Sequence, residues 1–422
     1  MNIKSDIKQA IHTLGYNKLK KQQVNALKSL LSGNDTIVIA GSGFGKTAIY
    51  MTAGMVMNNR LTIIVEPLLS LIYNQVERAK QCGINADYID STRTKEEVNT
   101  IMKNIQKLNF LYVTPERLQS RQFISNIKKT DVGMIVIDEC HCVTEYGSTF
   151  RESYLKIGDF INKLDKRPVI CACSATILDD SLKKIQKSLS MNKPNIIKCD
   201  LSRKNLVLIK KNVTANSKNI EKRLIYKLKM VVKMIKKYHT SGSVVIYALT
   251  PDMVDAIYYA LDDIYPDNVV RYHSKIEPKT YKNQMQIDFL TGNKKIMVAT
   301  SAFGMGIDAN DIELVVHFNA PMSMTDYIQQ IGRAGRDGRT AHCVLFYEQN
   351  GDDKKIIKAL IKKHDKAKSI IKSNFDKVNE YISSSNCMHL DLLKYQGQTE
   401  HISCKKCTNC AKNRRKGNNN ED

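Results

Sequence analysis

No stretch of the sequence is apolar for the length of a membrane span. A helix that crosses a bilayer needs about 20 predominantly apolar residues, and a secretory signal needs an apolar segment that charge does not interrupt. The first ten residues carry two lysines and one aspartate among the apolar ones. We therefore expect a soluble, intracellular protein without a membrane partner, although nothing decides between nucleus and cytoplasm.

Tryptophan is absent and acidic residues are few. Asp and Glu number 42 against 65 Lys and Arg, which gives a formal net charge of +23. The missing tryptophan excludes that side chain from any aromatic contact, and the positive balance points to a polyanionic partner such as nucleic acid. An alternative is that a sequence rich in Lys, Asn and Ile reflects the base composition of its genome.

The sequence also lacks the cysteine pattern of a disulfide framework. Its 11 cysteines are either scattered through apolar runs, as are Cys171, Cys173 and Cys343, or clustered near the C-terminus. This usage is typical of a reduced compartment with a possible metal site. The cluster has the spacing C-x16-C-x2-C-x2-C, and four thiolates are what tetrahedral Zn²⁺ requires. The predicted zinc ligands are Cys387, Cys404, Cys407 and Cys410.

A glycine-rich turn stands between an apolar run and a helix-compatible segment at Thr36–Tyr50. Residues 40–47 fit the relaxed phosphate-loop pattern, which is Ala or Gly, four residues, then Gly-Lys and Ser or Thr. Glycines let backbone N–H groups point at a phosphate, and the following helix adds its positive end. Lys46 can reach the outer phosphates and the Thr47 hydroxyl can bind Mg²⁺. The predicted nucleotide contacts are Gly41, Ser42, Gly43, Phe44, Gly45, Lys46 and Thr47.

Adjacent carboxylates follow an apolar run at Ile135–His141. Beside a phosphate loop, such a pair completes an NTP-hydrolysing site, in which Asp138 would hold Mg²⁺ through water and Glu139 would orient and deprotonate the attacking water. We predict Lys46, Asp138 and Glu139 as catalytic residues and ATP and Mg²⁺ as cofactors. Ser174–Thr176, after the next apolar run, supplies hydroxyls that could couple this site to a partner domain.

Apolar β-branched runs alternate with helical patterns along most of the chain, which predicts parallel sheets covered on both faces. At 422 residues the chain is too long for one core. A polar, lysine-rich passage at 196–237 places the boundary between two such series near Asp200. The predicted domains are 1–200, 201–350, a small helical module at 351–411 and a disordered basic tail at 412–422.

The order of these motifs resembles that of superfamily 2 helicases, and within them the RecQ family of DNA helicases. The match covers residues 15–410 and includes segments similar to the family's adenine motif, with Gln23, and to its DEAH box at Asp138–His141. Glu66–Val76 and Thr114–Leu118 resemble its first two nucleic-acid motifs. The resemblance implies two tandem RecA-like α/β domains followed by a zinc-binding module.

Residues 142–154 correspond to the family's aromatic-rich loop, which typically reads Trp-Gly-His-Asp-Phe-Arg-Pro. Tyr146 stands in place of the Trp, and Ser148, Thr149 and Glu152 replace His, Asp and Pro. A tyrosine ring can still stack on a base, which contributes about 1–3 kcal/mol. The resemblance implies nucleic-acid contacts at Ser70, Thr114, Arg117, Tyr146, Phe150, Arg151 and Thr300.

The second half of the chain has no phosphate loop, but Ala299–Asp308 and Tyr327–Gly338 resemble the family's motifs from the second RecA-like domain. Two arginines three residues apart, held by glycines, suit a finger that reaches a γ-phosphate. We predict Arg336 as this finger, with Arg333 beside it, and Asp308 as a nucleotide contact. The alternative for the Gly-Arg repeat is a loop that binds nucleic-acid phosphates.

Together these motifs predict an enzyme that hydrolyses ATP with Mg²⁺ and carries one Zn²⁺. The resemblance implies a 3′-to-5′ helicase that acts on single-stranded and tailed duplex DNA, and we expect the protein to be monomeric. The alternatives are an RNA-directed helicase of the same superfamily, or a strand-annealing nucleic-acid-binding protein whose ATP site switches its affinity. RecQ proteins often continue into a winged-helix domain with a strand-separating hairpin, and nothing in the printed sequence supplies that hairpin. Loss of zinc through Cys407→Ser is expected to lower solubility and weaken DNA binding while the ATP site stays intact.

Overall fold

The computed structural model describes residues 3–41, 43–57, 60–143, 150–175, 177, 179–303, 311–348, 352–362, 368–398 and 403–418. The chain divides into two compact units, Met1–Leu201 and Ser202–Asp422. Across these described ranges, no helix is both long enough and apolar enough to cross a membrane.

The first unit is built on a seven-stranded parallel sheet. Its strands are Thr36–Ile39 (β1), Leu61–Val65 (β2), Ala86–Ile89 (β3), Phe110–Val113 (β4), Val132–Ile137 (β5), Val169–Ser174 (β6) and Asn195–Lys198 (β7). They lie in the order β3-β4-β2-β5-β6-β1-β7, and every pair is parallel. Strands β1, β2, β4 and β5 are buried along their whole length, as expected for apolar runs covered on both faces.

Nine helices of the described first unit cover this sheet. They are Ile3–Thr13 (α1), Lys21–Leu31 (α2), Lys46–Val56 (α3), Leu69–Gln81 (α4), Lys95–Lys103 (α5), Arg121–Ile127 (α6), Phe150–Leu155 (α7), Ile157–Ile161 (α8) and Asp179–Ser188 (α9). Helix α3 is buried over most of its length, with Ala48, Ile49, Tyr50 and Ala53 in the core. The segment behind the predicted phosphate loop is therefore a rigid part of the fold.

A buried aspartate fixes the start of β1. Asp35 is 2% exposed, and its carboxylate accepts hydrogen bonds from the Arg167 guanidinium at 3.1 and 2.5 Å. It also accepts from the backbone N–H of Ile170 at 3.0 Å and of Asn192 at 2.6 Å. Hydrogen bonds to a charged group contribute about 1.5–3 kcal/mol each, so Asp35 holds the strand that leads into the glycine-rich loop.

The second unit has a six-stranded parallel sheet and eight helices among its described residues. The strands are Leu206–Asn212 (β8), Ser243–Tyr247 (β9), Val269–Tyr272 (β10), Ile296–Ala299 (β11), Ile312–His317 (β12) and Ala341–Tyr347 (β13), in the order β10-β11-β9-β12-β13-β8. The helices are Ile220–Tyr238 (α10), Pro251–Asp262 (α11), Lys279–Leu290 (α12), Met324–Ile331 (α13), Asp352–Lys362 (α14), Lys368–Ser383 (α15), Met388–Tyr395 (α16) and Thr408–Asn418 (α17).

Helices α14 to α17 form the predicted helical module, and its core is continuous with that of the sheet. Val378, Met388 and Cys407 belong to the same hydrophobic cluster as Tyr327 on α13 and Leu345 on β13. The predicted fold class, two parallel-sheet α/β domains followed by a small helical module, is confirmed.

The lysine-rich passage at 196–237 contains most of β7, all of β8 and the 19-residue helix α10; edge strands keep one face or one side in solvent, so they lack the apolar runs that mark central strands. The disorder expected from 412 is replaced by α17 as far as Asn418. Asn409 in its first turn is buried and donates to the carbonyls of Ser384 and Asn386 at 3.0 and 2.6 Å, which anchors the start of the helix.

Candidate functional site

The glycine-rich loop joins the carboxyl end of β1 to the first residue of α3, Lys46. Gly43 and Gly45 have φ angles of +77° and +92°, a region that residues with a Cβ rarely adopt. A Cβ on Gly45 would also lie 2.7 Å from Gln23 Nε2. Both the backbone angle and the close approach therefore require glycine at 45, as the phosphate-loop interpretation predicts. Ser42 lies outside the described residues.

Gln23 holds this loop from α2. Its side chain is 5% exposed, and its Nε2 donates to the carbonyl oxygens of Phe44 and Gly45 at 3.0 and 3.1 Å. Its Oε1 accepts from the Lys20 backbone N–H at 2.6 Å. The amide that the sequence assigns to adenine is thus engaged with the loop itself, and its role in base recognition stays a prediction.

The two predicted carboxylates stand directly after β5, next to the end of β2. The Asp138 backbone N–H donates to the carbonyl of Val65 at 3.0 Å, and the Tyr154 hydroxyl donates to the carbonyl of Asp138 at 3.0 Å. Glu139 has a φ of +49°, and its N–H donates to Asp138 Oδ1 at 2.9 Å. A non-glycine residue in this region costs about 1–3 kcal/mol, so the turn that presents Glu139 is strained.

Charges in this site act on one another strongly. Burial lowers the pKa of Lys46, but Glu139 and Asp138 raise it by more, so the net shift is upward. Burial also raises the pKa of Asp138; Lys46 lowers it and Glu139 raises it further. The lysine therefore stays charged, while the two carboxyls repel each other in a buried place.

His141 links these carboxylates to the next strand. Its ring is 4% exposed, and its Nδ1 lies 3.1 Å from Glu139 Oε2 and 2.8 Å from the Ser174 hydroxyl at the end of β6. The predicted acidic motif and the first residue of the predicted hydroxyl motif are therefore in direct contact through one imidazole nitrogen.

Glu66 is a member of this site that sequence reasoning missed. It follows β2 as Asp138 follows β5, its side chain is fully buried, and neither carboxyl oxygen has a hydrogen-bond partner among the described residues. Burial raises its pKa well above the usual range, and Asp138 and Glu139 raise it further. The sequence feature that marks Glu66 as a site residue is its position at the carboxyl end of an apolar strand. The family resemblance places this stretch in a nucleic-acid motif instead.

The donor set fits a hard divalent cation. Three carboxyls face one lysine, and one of those carboxyls is buried without a partner. Mg²⁺ prefers carboxylate, hydroxyl and water oxygens, which Asp138 and Thr47 offer. A bound cation would balance the excess of negative charge.

The remaining predicted contacts of the first unit lie in segments at the carboxyl edge of its sheet. Ser70 is in the first turn of α4, and Thr114 and Arg117 follow β4. Phe150 and Arg151 begin α7. Tyr146 lies outside the described residues.

In the second unit, the Gly-Arg loop follows α13 and is held by two residues that the sequence did not suggest. Arg203 donates to the carbonyls of Gly332, Ala334 and Gly335 at 3.0, 2.5 and 3.1 Å. Asn205 Nδ2 donates to the Gly335 carbonyl at 2.8 Å, and a Cβ on Gly335 would lie 2.5 Å from that nitrogen. The backbone that carries the predicted finger is therefore fixed from a segment 130 residues away.

The predicted catalytic and contact residues of this unit are placed as follows. Arg333 follows α13 and is 6% exposed, and Thr300 follows β11 and is 8% exposed. Arg336 lies three residues further along the loop. Asp308 lies outside the described residues.

The four predicted zinc ligands come together. The Sγ atoms of Cys387, Cys404, Cys407 and Cys410 all lie within 4.8 Å of one another, and two of the pairs are 3.9 and 3.4 Å apart. Tetrahedral Zn–S bonds of about 2.3 Å would place the sulfurs about 3.8 Å apart. The cluster fits one zinc ion.

Backbone groups prepare these sulfurs for a cation. The N–H groups of Cys404 and Met388 donate to the sulfurs of Cys387 and Cys407 at 3.3 and 3.4 Å. Burial raises the pKa of Cys404 and of Cys407. Burial also raises the pKa of Cys387, but backbone donors that include Cys404 N–H, together with the thiols of Cys404 and Cys410, lower it to about 7. Donors of this kind favour the thiolate and orient it toward a metal.

The module also contacts the helix that leads into the Gly-Arg loop. The Tyr381 ring on α15 packs on the Tyr327 ring on α13 with centroids 5.4 Å apart, and the hydroxyls of Thr325 and Tyr395 are 3.4 Å apart. The four-cysteine module and the Gly-Arg loop thus share one packed core.

Three family models match successive parts of the chain: DEAD/DEAH box helicase over residues 20–185, helicase conserved C-terminal domain over 226–338, and RecQ zinc-binding over 351–411. The chain is 32% identical over 416 residues to ATP-dependent DNA helicase RecQ of Bacillus subtilis, which covers 96% of this chain and 66% of that protein. It is 30% identical over 401 residues to the protein of the same name from Pasteurella multocida, covering 94% and 60%. The chain thus spans less than two thirds of the length of these relatives.

Solved structures show the same fold at lower identity. Mss116p bound to single-stranded RNA and AMP-PNP superposes with a TM-score of 0.68 at 19% identity, covering 93% of this chain and 88% of that one. Dbp5 of S. cerevisiae bound to RNA and ADP BeF3 gives a TM-score of 0.66 at 19% identity, covering 87% and 96%. At such identities the likeness concerns the fold alone.

Proposed function

We propose that this chain, which belongs to the RecQ family of ATP-dependent DNA helicases, hydrolyses ATP and couples hydrolysis to movement along single-stranded DNA and to duplex unwinding. The observation that carries the proposal is the set of Lys46, Thr47, Asp138 and Glu139 at the carboxyl edge of one parallel sheet. Open parallel sheets bind ligands at this edge, and these four side chains are the parts that phosphoryl transfer to water needs.

Each residue of the set has a distinct role. The loop N–H groups and Lys46 bind the phosphates, while Thr47 and Asp138 hold Mg²⁺. Bound Mg²⁺ neutralises charge that develops on the phosphate oxygens. Glu139 accepts the proton of the attacking water, and His141, 3.1 Å from its Oε2, keeps that carboxylate in place.

The second unit supplies the remaining charge. We assign Arg336 as the finger that stabilises the transferred phosphoryl group, with Arg333 beside it and Asp308 as a further nucleotide contact. The predicted boundaries at 200, 350 and 411 and the nucleic-acid contacts named above remain part of this proposal.

The four-cysteine module binds one structural Zn²⁺. A catalytic zinc site keeps an open position, whereas four thiolates fill the tetrahedron. Its cysteines lie in the core that also contains Tyr327, so the metal stabilises the second unit as a whole.

We infer that DNA is the nucleic acid, that translocation runs 3′ to 5′, and that the protein is monomeric and intracellular. The net charge of +23 supports a polyanionic partner, and the named relatives are DNA helicases. RNA and strand annealing without unwinding are the outcomes that the following test separates.

The test compares ATP turnover in the presence of single-stranded DNA, duplex DNA and RNA, together with strand displacement on 3′-tailed and 5′-tailed duplexes. We expect turnover to rise most with single-stranded DNA and displacement to require the 3′ tail. Glu139→Gln is the control for contaminating activity. Turnover stimulated only by RNA, or annealing without displacement, would contradict the proposal.

A further inference from the structure

One buried hydroxyl bridges the phosphate-loop helix and the helix of the first nucleic-acid motif. Tyr50 on α3 is fully buried. Its hydroxyl oxygen lies 3.3 Å from Thr47 Oγ1 and 3.2 Å from Gln75 Oε1 on α4. The same helix carries Ser70 in its first turn.

This triad can be hydrogen-bonded in two ways. A hydroxyl has one proton to donate, and an amide oxygen only accepts. Tyr50 can donate to Thr47, which leaves Gln75 Oε1 without a proton from the tyrosine. Alternatively Tyr50 donates to Gln75 Oε1, and Thr47 Oγ1 receives no proton from the tyrosine.

Metal coordination favours the second arrangement. When Thr47 Oγ1 binds Mg²⁺ through a lone pair, it becomes a weaker acceptor for the Tyr50 hydroxyl 3.3 Å away. The tyrosine proton is then directed to Gln75 Oε1 at 3.2 Å, and the bond between α3 and α4 is made.

We propose that Tyr50 is a positioning residue that couples the filled nucleotide site to α4 through this choice of hydrogen-bond acceptor. The inference rests on the proposed function, since it needs both a nucleotide with Mg²⁺ at Thr47 and a nucleic acid at α4.

Helix α4 is built to transmit such a change as one body. Ile72, Val76 and Ala79 are each at most 2% exposed in the core of the first unit. On another side, the Tyr73 hydroxyl donates to Asp90 Oδ2 at 2.6 Å, just after β3. Because the helix is packed along its length, a change at Gln75 is transmitted to its first turn, where Ser70 of the nucleic-acid motif lies.

The experiment measures the affinity for a labelled single-stranded DNA with and without Mg²⁺ and a non-hydrolysable ATP analogue. The ratio of the two dissociation constants is the coupling. Tyr50→Phe removes the hydroxyl and keeps the ring. Gln75→Met removes the acceptor at a partly exposed position, so this second variant tests the same bond if Tyr50→Phe folds poorly. We expect either variant to lose about 5-fold or more of the wild-type coupling, the lower end of what linked sites show.

A matched control and a second readout separate coupling from general loosening. Tyr112 is equally buried, and its hydroxyl contacts Met51 Sδ at 3.4 Å, so Tyr112→Phe should keep the wild-type ratio. Because both changes break the same link, the double variant Tyr50→Phe with Gln75→Met should lose no more coupling than either single one. Hydrogen exchange in α4 should slow on addition of the analogue in the wild type and not in Tyr50→Phe.

The outcomes are distinct. Unchanged coupling in Tyr50→Phe and Gln75→Met, an equal loss in Tyr112→Phe, or additive losses in the double variant each overturn the relay and leave the helicase proposal standing. A wild type that binds nucleotide and DNA without any coupling also overturns the relay, and strand displacement then decides the proposed function. A wild type that binds neither overturns the proposed function and the relay with it.

Discussion

Replacing one zinc ligand tests how far the second unit depends on its metal. Cys407 is fully buried, and its sulfur lies 3.4 Å from that of Cys410. Cys407→Ser puts a neutral hydroxyl where a thiolate stood and leaves three ligands. Cys343→Ser is the matched control, because Cys343 is equally buried in the same hydrophobic cluster and is not one of the four cysteines of the metal site.

The expected cost follows from the two environments. Structural zinc in small domains contributes about 10–16 kcal/mol, so one thiolate of four accounts for about 2.5–4 kcal/mol. The control buries a hydroxyl in an apolar core, at about 1–3 kcal/mol. A loss of about 2.5–4 kcal/mol lowers the melting temperature of a unit of this size by about 5–16 °C. Complete loss of zinc would cost a free energy of the same order as the whole stability of a domain, about 5–15 kcal/mol.

The packing of the module refines what the sequence predicts for the ATP site. Because Tyr381 packs on Tyr327, loss of zinc should disturb α13 and the loop with Arg333 and Arg336. The phosphate loop belongs to the first unit. We therefore expect ATP affinity to persist, while turnover falls about tenfold or more because small displacements of catalytic groups are costly.

The assay combines elemental analysis, thermal melts with and without chelator, and steady-state ATP turnover with DNA. Wild type and Cys343→Ser should hold one zinc per chain and should melt lower with chelator. Cys407→Ser should hold less zinc and respond little to the chelator. The reasoning fails if Cys407→Ser keeps one equivalent of zinc and melts no lower than the control.

Three further predictions concern single residues. Lys46→Ala should abolish turnover because the phosphate clamp is lost, whereas Glu139→Gln should bind ATP and stall because only the base is removed; nucleotide binding and turnover distinguish them, and normal turnover in either would contradict the site. Arg336→Ala should keep ATP affinity and lose about 10³-fold in turnover; weaker binding with unchanged turnover would make it a ground-state contact. Burial lowers the pKa of His317 to about 4 in the folded chain, whereas an exposed histidine in the unfolded chain has a pKa of about 6.5. Below about pH 6.5 the unfolded chain therefore binds a proton that the folded chain does not. The free energy of unfolding should fall by about 2 kcal/mol between pH 7 and pH 5. Urea melts of the wild type and His317→Gln check this, and an equal pH dependence in both would refute it.

The elements that the sequence predicts are those whose cause is local. The phosphate loop needs only its own glycines and the start of α3, and the central strands need only an apolar run. The edge strands β3, β7 and β8 are different, because their burial patterns are mixed. Their place is decided by pairing with distant strands, which a window of sequence does not contain.

The sequence does not identify some site residues for the same reason. Arg203 and Asn205 matter because they bind the backbone of the Gly-Arg loop, more than 125 residues further along the chain. Gln75 meets Tyr50 across 25 residues. Each pair is brought together by the order of strands in a sheet, and no local pattern marks it.

The first unit keeps several unfavourable features in one place. Glu139 is in a left-handed conformation, Glu66 is a buried carboxyl without a hydrogen-bond partner, and Asp138 has a raised pKa beside a single Lys46. Proteins retain such strain and unpaired charge mainly where function requires them. Mg²⁺ supplies the positive charge that this arrangement lacks, and a proton-accepting role suits a carboxylate held by a strained turn. The features that weaken the isolated unit are therefore those that make it a binding site for a nucleotide with its cation.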